Sequence, residues 1–306
     1  MGKVAFVFPG QGSQAVGMGK AAYEVEAGRD VFARADSALG ESLSGLCFDG
    51  PAADLQLTAN AQPAILTTSI ALWRILDRPF DVTAGHSLGE YSANVAAGTV
   101  EFETAVKLVR KRGSYMQEAV PVGVGAMAAV LGADTATVER ICEETPGIVS
   151  PVNYNCPGQL VIAGEKNAVA QASAAIAAAG GKVKDLPVSA PFHCALMEPA
   201  ETRLTPDLRG AAFKDPQVPL YVNVDAVPVS TASEACEALI RQVSRPVRWQ
   251  QSVDLMLQAG VTLFVEIGPG KVLTGLVKRI SKDAERVNVE TPADIEAARA
   301  AIAKHK

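Results

Sequence analysis

The segment with the strongest chemical signal is Gly85-His86-Ser87-Leu88-Gly89, which has the pattern G-x-S-x-G. Small residues on both sides of such a serine permit a sharp turn between a strand and a helix, and this turn exposes the hydroxyl group. The turn also places the serine at the N-terminus of the helix, where main-chain N–H groups stabilise developing negative charge. We therefore predict that Ser87 is a nucleophile.

A serine nucleophile needs a neighbouring base, because its hydroxyl is hardly ionised at neutral pH. The chain contains three histidines. His86 adjoins the nucleophile, and adjacent side chains on a sharp turn usually point apart. His305 is the penultimate residue, in a tail that we expect to fray. His193 remains and is the predicted base, although no Asp or Glu stands out as the group that orients it.

A glycine-containing loop, Pro9-Gly10-Gln11-Gly12-Ser13-Gln14, follows the first predicted strand. With Ala15 it matches the dinucleotide fingerprint G-x-G-x-x-A, but that motif also requires a second strand that ends in an acidic residue about 20 positions later. Residues 30–39 look helical instead. The pattern therefore favours a loop that presents the Gln11 amide or a main-chain N–H group to an oxyanion.

A basic cluster lies on a helix predicted over residues 103–118. It consists of Lys107, Arg110, Lys111 and Arg112. For Lys107 and Lys111 we favour an ordinary solvated face. One guanidinium turned inward would bind a carboxylate through two parallel charge-assisted hydrogen bonds. Sequence spacing does not decide which arginine does so.

The elements that position these residues follow from the hydrophobic pattern. Short apolar runs predict strands at Lys3–Phe8 and at Asp81–Ala84, and the second strand leads into the serine turn. Glu90–Ala97 predicts the helix that follows the turn. Further strands are predicted at Leu220–Val224 and Leu263–Glu266. This alternation is typical of an α/β protein.

The pattern changes near residue 125. From there to residue 186, strands and helices are predicted in the order βαββαβ, which is that of the ferredoxin-like motif, and Asp134 is placed to cap the first helix. We therefore predict a large discontinuous α/β domain over residues 1–124 and 188–306, with an inserted small domain over residues 125–187. Since His193 lies just after the insertion, we expect it in a cleft between the two domains.

The composition narrows the class of protein. The chain has 306 residues, of which 48% are hydrophobic and 20% charged, and its net charge is -5. These values fit a globular protein and argue against a nucleic-acid surface on the scale of the whole protein. Five cysteines without C-x-x-C spacing argue against a disulfide framework or a metal site, and favour the cytoplasm. Neither a leader peptide nor a membrane span is expected.

Taken together, the motifs resemble the malonyl-CoA:acyl carrier protein transacylase family and the acyltransferase domains of fatty acid and polyketide synthases. The resemblance extends over essentially the whole chain. It rests on motifs in the family's order, namely FPGQGSQ from Phe8, GHSLGEYSA from Gly85, KLVRKRGSYMQ from Lys107, VNYNCPGQLVIAG from Val152, SAPFHCALM from Ser189, RPVRW from Arg245 and EIGPGKVLTGL from Glu266.

This resemblance implies the catalytic roles. Ser87 would be the nucleophile and His193 the base. Gln11, with the main-chain N–H group of Leu88, would form the oxyanion hole. The main-chain carbonyl of Gln242 would orient the histidine, which explains why no acidic residue stands out in the sequence.

The resemblance also implies the substrate, the partner and the fold. Arg112 would bind the malonyl carboxylate, Met116 would line the same pocket, and Phe192 matches the residue that accompanies malonyl selection. The substrates would be malonyl-CoA and acyl carrier protein, with transfer through a malonyl-serine intermediate that supplies fatty acid elongation, and without a cofactor. The implied fold is an α/β-hydrolase-like large domain with the inserted ferredoxin-like domain, and we expect a monomer.

Three alternatives remain open. An acyltransferase of a polyketide pathway would carry the same motifs. A serine esterase or thioesterase would share the nucleophile and the base, but it places the histidine after an acid and near the C-terminus. A non-catalytic scaffold that binds acyl carrier protein or CoA would not need the nucleophile with its base.

The carrier protein is expected to be acidic, so basic residues would contact it. The candidates, each of which could equally form ordinary solvated surface, are Arg245, Arg248, Lys271, Lys278 and Arg279.

Overall fold

The computed structural model of this chain describes residues 2–121, 123–188 and 190–305, so that Ser189, which opens one of the motifs, lies outside it. The strands are β1 (Lys3–Phe8), β2 (Val82–Gly85), β3 (Gly125–Leu131), β4 (Val149–Cys156), β5 (Gln159–Glu165), β6 (Lys182–Asp185), β7 (Leu220–Tyr221), β8 (Pro228–Val229), β9 (Val261–Ile267) and β10 (Glu285–Val289). The helices are α1 (Lys20–Tyr23), α2 (Glu26–Leu39), α3 (Leu43–Asp49), α4 (Ala52–Gln56), α5 (Thr58–Leu76), α6 (Gly89–Ala96), α7 (Phe102–Glu118), α8 (Thr135–Glu144), α9 (Lys166–Ala178), α10 (Glu198–Arg209), α11 (Ala232–Gln242), α12 (Trp249–Gln258), α13 (Val272–Ile280) and α14 (Ile295–His305).

The larger sheet has the strand order β10-β9-β1-β2-β7-β8. All neighbours are parallel except β7 and β8. Along β1, Phe6 and Phe8 pack into one hydrophobic cluster, while Ala5 and Val7 pack into another. Successive side chains of a strand point to opposite faces, so helices cover both faces of this sheet. The predicted α/β class is confirmed.

The sheet brings two of the predicted loops together. β1 and β2 are parallel neighbours, so the loop after Phe8 and the turn after Gly85 leave the sheet at the same edge. The main-chain N–H group of His86 donates to the Phe8 carbonyl at 3.0 Å and fixes this approach. Ligands of open α/β sheets bind at this carboxyl edge. The predicted order of strand, turn and helix is confirmed.

The smaller sheet is antiparallel, with the strand order β4-β5-β3-β6. Helices α8 and α9 pack on it, so the predicted order βαββαβ is confirmed. Asp134 caps α8 by accepting the Thr137 N–H at 3.1 Å. Val247 joins this sheet to the rest of the chain, through hydrogen bonds of 2.8 Å to the Val152 carbonyl and 2.9 Å from the Tyr154 N–H. The domain boundaries at residues 125 and 187 stay a prediction.

Two predicted elements differ from the structure. The strand predicted at Leu220–Val224 ends at Tyr221, because the chain turns away so that Asn223 can bond to the serine turn. The tail at His305 is held rather than frayed. Its Nδ1 lies 2.7 Å from Thr262 Oγ1 and its Nε2 3.0 Å from the Glu285 carboxylate. Among the described helices, none is both long enough and apolar enough to cross a bilayer.

Candidate active site

The turn between β2 and α6 holds Ser87 in the left-handed region, with φ of 51°. Glycines make this turn possible. A Cβ atom on Gly85 would lie 1.9 Å from the carbonyl group of Gly89, and a Cβ atom on Gly89 would lie 2.0 Å from the Phe8 carbonyl oxygen. Both distances are impossible for a side chain, so the motif tolerates only glycine here and the serine side chain projects away from the sheet.

Ser87 and His193 are in direct contact. The distance from Ser87 Oγ to His193 Nε2 is 2.7 Å, and His193 Nδ1 lies 2.8 Å from the main-chain carbonyl oxygen of Gln242. A carbonyl oxygen only accepts, so Nδ1 carries the proton and Nε2 is free to accept from the serine hydroxyl. This is the arrangement that general-base activation of a serine requires.

The environment keeps the imidazole neutral. His193 is buried, and its burial together with the nearby charge of Arg112 lowers its pKa to about 3. The hydrogen bond to the Gln242 carbonyl opposes this shift only partly. The ring is therefore neutral, with Nε2 unprotonated, at any pH near neutrality.

We expect the His193 ring to show no protonation midpoint between pH 5 and pH 8, because its folded pKa lies well below its ordinary value of 6.5. Below about pH 6.5 the unfolded chain binds a proton at this residue that the folded protein does not bind, so acid disfavours folding. Nitrogen-15 NMR of labelled histidine, with the signals assigned through a His193→Asn variant, measures this. A midpoint near pH 6.5 would contradict the account.

Arg112 is the member of the basic cluster that turns inward. Its side chain is buried, and Nη2 lies 3.3 Å from Ser87 Oγ. Nη1 donates to Gln62 Oε1 at 2.7 Å and Nη2 donates to Gln242 Oε1 at 2.9 Å. Its guanidinium also lies 5.6 Å from the centre of the Tyr91 ring. Burial lowers the pKa of Arg112, but a guanidinium stays charged at neutral pH.

The other basic residues of α7 face outward. Lys107 is exposed, as predicted. Lys111 is exposed too and pairs with Asp207, while Arg110 bonds to Glu41 and Asn60. The sequence did not decide which arginine turns inward. In the structure it is Arg112, because the packing of α7 turns this residue towards Ser87 and Arg110 away from it.

The residues predicted for the oxyanion hole flank the serine. Gln11 lines the cleft, and its side-chain Nε2 donates to Thr58 Oγ1 at 3.1 Å. Leu88 follows the serine directly, at the start of α6. The main-chain N–H groups of these two residues have no acceptor in the described part of the chain, whereas the Gln11 side chain is already bonded to Thr58.

Behind the serine lies a polar network that joins Gln242 to Asn223 and Glu90, two residues that the sequence did not single out. Asn223 Oδ1 accepts the Ser87 N–H at 2.7 Å, and Gln242 Nε2 donates to the Ser87 carbonyl at 2.9 Å. Glu90 Oε2 accepts from the Asn223 N–H at 2.9 Å and from Gln242 Nε2 at 2.8 Å. Burial raises the pKa of Glu90 to about 7, although these bonds and the charge of Arg112 oppose the shift. Polar residues within apolar helices, such as Gln62 and Glu90, were the available signal.

A cleft of about 710 Å³ opens above Ser87. It is bounded on one side by the serine turn and α7, and on the other by the small sheet and the segment that follows β6, with Met127 and Leu186 among the lining residues. The buried side chains of Met116 and Phe192 line it. The structure thus brings together all eight predicted site residues, in or directly beside one cleft of a size typical for ligand sites.

Neither the histidine beside the nucleophile nor the cysteines supply the base or the nucleophile. His86 also lines the cleft, but its Nε2 lies 2.9 Å from Asn155 Oδ1, and among the described residues its ring makes no hydrogen bond to Ser87. All five cysteines are buried. Burial raises the pKa of the Cys194 thiol to about 11 and also raises that of Cys156. Neither thiol is therefore a reactive thiolate at neutral pH.

Known proteins share both the sequence and this architecture. The acyl transferase domain family matches residues 5–295. The malonyl CoA-acyl carrier protein transacylase of Salmonella typhimurium is 48% identical over 306 residues, which cover 97% of this chain and 99% of the relative. A crystal structure of an acyl carrier protein S-malonyltransferase from Vibrio cholerae is 47% identical with a TM-score of 0.95, covering 97% of this chain and 99% of the other.

A third match adds a complex. A malonyl-transacylase solved with a type II PKS acyl-carrier protein is 45% identical with a TM-score of 0.95, and the alignment covers 98% of this chain and 99% of the other. Identity at this level over nearly the full length, together with the fold and the cleft, confirms the resemblance seen in the sequence. The chain belongs to the acyl transferase domain family and, within it, to the malonyl CoA-acyl carrier protein transacylases.

Proposed function

We propose that this protein transfers the malonyl group of malonyl-CoA to the phosphopantetheine thiol of acyl carrier protein, through a malonyl ester on Ser87. The observation that supports the proposal most strongly is that the Ser87 hydroxyl oxygen has two neighbouring groups, a base and a cation. Ser87 Oγ lies 2.7 Å from the neutral His193 Nε2 and 3.3 Å from the buried Arg112 guanidinium. The first partner activates the hydroxyl, and the second attracts an acyl group that carries a carboxylate.

The first half-reaction forms the ester. His193 Nε2 takes the Ser87 proton while Oγ attacks the thioester carbonyl carbon of malonyl-CoA. The tetrahedral intermediate then collapses as its C–S bond breaks, and the CoA sulfur takes the proton from His193. The Gln242 carbonyl accepts from Nδ1–H throughout, at 2.8 Å in the resting state, and stabilises the imidazolium while it exists.

The second half-reaction reverses the order of these steps with a different thiol. The phosphopantetheine thiol of the carrier protein gives its proton to His193 and attacks the ester carbonyl carbon. The C–O bond breaks and Ser87 Oγ recovers the proton. Free CoA leaves before the carrier thiol reacts, so the kinetics are of the ping-pong type.

Arg112 would select the acyl group. A buried guanidinium that is held by amide oxygens binds a free carboxylate through charge-assisted hydrogen bonds, which an acetyl group cannot make. The same contact would fix the acyl group on Ser87. A fixed ester is attacked by a positioned thiol in preference to water, which is the difference between a transferase and a hydrolase.

A variant of Gln11 tests the oxyanion hole. Gln11→Ala removes the side chain that bonds to Thr58 but keeps the main-chain N–H group, so we expect the acylation rate to fall less than about tenfold. Loss of a true oxyanion donor costs about 10²–10³-fold. Pre-steady-state release of CoA measures the rate. A loss in the larger range would show that the Gln11 side chain, and not its main chain, is the donor.

The carrier protein of fatty acid synthesis is the proposed acceptor. A polyketide carrier is the second candidate, because one structure that this chain resembles is a complex with such a protein. The basic residues Lys271, Lys278 and Arg245 are exposed and available to an acidic partner. Arg279 bonds to Gln159 Oε1, and Arg248 lies over the Tyr154 ring. We propose that the protein is a monomer. We also propose that it acts in the cytoplasm, a location that fits its buried cysteines without disulfide bonds.

The partition of the malonyl group tests the proposal. We expect protein loaded with labelled malonyl-CoA to pass the label to added acyl carrier protein much faster than to water. Parallel reactions with a fatty acid carrier and a polyketide carrier show which one is preferred. Release of the label mainly as free malonate would favour an esterase or thioesterase instead, and a protein that never takes up the label would favour a scaffold.

A further inference from the structure

Glu90 is a buried acid directly behind the nucleophile, on the first turn of α6. One of its carboxyl oxygens, Oε2, accepts both of its hydrogen bonds, from the Asn223 N–H at 2.9 Å and from Gln242 Nε2 at 2.8 Å. The other oxygen, Oε1, has no partner among the described residues. Burying an acidic side chain this deeply costs free energy of folding, which its hydrogen bonds offset only in part. Such a residue is therefore a candidate for a functional role.

Gln242 connects Glu90 with every reacting group of the site. Its main-chain carbonyl accepts from His193 Nδ1, its side-chain Nε2 also donates to the Ser87 carbonyl, and its side-chain Oε1 accepts from Arg112 Nη2. The two ends of a glutamine amide have nearly the same shape, so their hydrogen-bond partners decide which end faces which way.

Three groups make that choice together. Arg112 donates to the oxygen end of the amide, while the Ser87 carbonyl and Glu90 accept from the NH₂ end. Protonated on Oε1 or ionised, Glu90 presents Oε2 as an acceptor to the Gln242 amide. The NH₂ end must therefore face Glu90, and the oxygen end must face Arg112. In the reversed orientation the NH₂ group would meet the guanidinium, which only donates, and the amide oxygen would meet Oε2 of the acid. Without an acceptor at position 90, the NH₂ end loses its shortest hydrogen bond and keeps only the Ser87 carbonyl at 2.9 Å and Asn223 Oδ1 at 3.4 Å.

The amide oxygen matters because it holds Arg112 without neutralising it. The two closest acceptors of the guanidinium are the oxygens of Gln62 and Gln242, both uncharged. Within the described residues, no carboxylate lies within ion-pair distance of Arg112. The positive charge is therefore positioned beside Ser87 Oγ with no carboxylate in contact, although Glu90 acts on it from a longer distance, and charge interactions are strong in such a buried site.

We propose that Glu90 is a positioning residue for carboxylate recognition. Together with the Ser87 carbonyl it fixes the Gln242 amide, so that the Arg112 guanidinium is held by uncharged oxygens and points at the nucleophile. The proposal deepens the proposed function and rests on it, since it names the residues that give the site its preference for an acyl group with a free carboxylate over an uncharged one.

The test compares kcat/KM for malonyl-CoA with kcat/KM for acetyl-CoA. Both values are expressed per active site, and the number of active sites is measured from the initial burst of CoA released when Ser87 is acylated. Glu90→Leu keeps the approximate size of the side chain and removes the acceptor. We expect it to lower the ratio of malonyl to acetyl efficiency by about tenfold to a hundredfold, as befits the loss of a buried polar contact. Glu90→Gln, which offers an amide oxygen in place of Oε2, is expected to restore most of that ratio.

Gln242→Met provides a second route if Glu90→Leu does not fold. It removes both ends of the amide and retains the main-chain carbonyl that contacts His193. We expect the same fall in the ratio. The folded variants could instead keep the wild-type ratio of malonyl to acetyl efficiency and lose only a fraction of their active sites. That result would overturn the proposal and show that the role of Glu90 is structural. Wild-type protein that malonyl-CoA fails to acylate would instead overturn the proposed function, before any variant is compared.

Discussion

Replacing Ser87 with alanine is expected to lower the rate of malonyl transfer by about 10⁵–10⁶-fold and to abolish the covalent intermediate, because a serine nucleophile and its base act as one unit. His193 would lose the hydroxyl that lies 2.7 Å from its Nε2, and no other hydroxyl contacts that nitrogen among the described residues. The measurement is transfer from malonyl-CoA to carrier protein, followed by mass spectrometry of the carrier.

Ser92→Ala is the matched control for this variant. Ser92 lies on the same helix α6, is buried, and its hydroxyl has no hydrogen-bond partner among the described residues. Removing that hydroxyl should leave both the fold and the transfer rate close to those of wild type. Persistence of a malonyl ester on the Ser87→Ala protein would mean that another residue is the nucleophile.

Arg112→Ala is expected to lower kcat/KM for malonyl-CoA by about 10²–10³-fold, because the truncation removes the charged partner of a carboxylate in a buried site. Efficiency with acetyl-CoA should fall less or rise, since an acetyl group never used the guanidinium. We therefore expect the ratio of malonyl-CoA efficiency to acetyl-CoA efficiency to fall. Parallel initial-rate measurements with both thioesters determine it.

Lys111→Ala controls for changes to α7 that do not reach the cleft. Lys111 neighbours Arg112 in sequence, but it is exposed and pairs with Asp207. A surface ion pair contributes about 0–1 kcal/mol, so the control should behave like wild type in both assays. Undiminished malonyl turnover by the Arg112→Ala protein would show that another group binds the carboxylate.

The features that the sequence predicted well are local ones. The serine turn was predictable because a tight strand-to-helix turn requires glycine at positions 85 and 89, where backbone atoms would meet a Cβ atom within about 2 Å. His193 emerged by elimination among only three histidines. The strand and helix order followed from hydrophobic periodicity, which depends on near neighbours in the chain.

The features that the sequence left open depend on tertiary packing. Arg110 and Arg112 are two residues apart on one helix, and only the packing of α7 decides that Arg112 faces the serine. The group that orients His193 is a main-chain carbonyl, which any residue type supplies, so Gln242 had no signature of its own and was named only through the resemblance. Asn223 and Glu90 meet across 133 residues of sequence, which periodicity cannot reveal.

The central claim is that the malonyl group travels through Ser87 on its way to a thiol. The most direct test is to quench the protein after mixing with labelled malonyl-CoA, digest it, and locate the label by mass spectrometry, with a portion first chased with acyl carrier protein. We expect a malonyl ester on the peptide that contains Ser87, and we expect it to disappear in the chase as the carrier gains the same group. A label found elsewhere in the chain, or one that the carrier cannot remove, would contradict it.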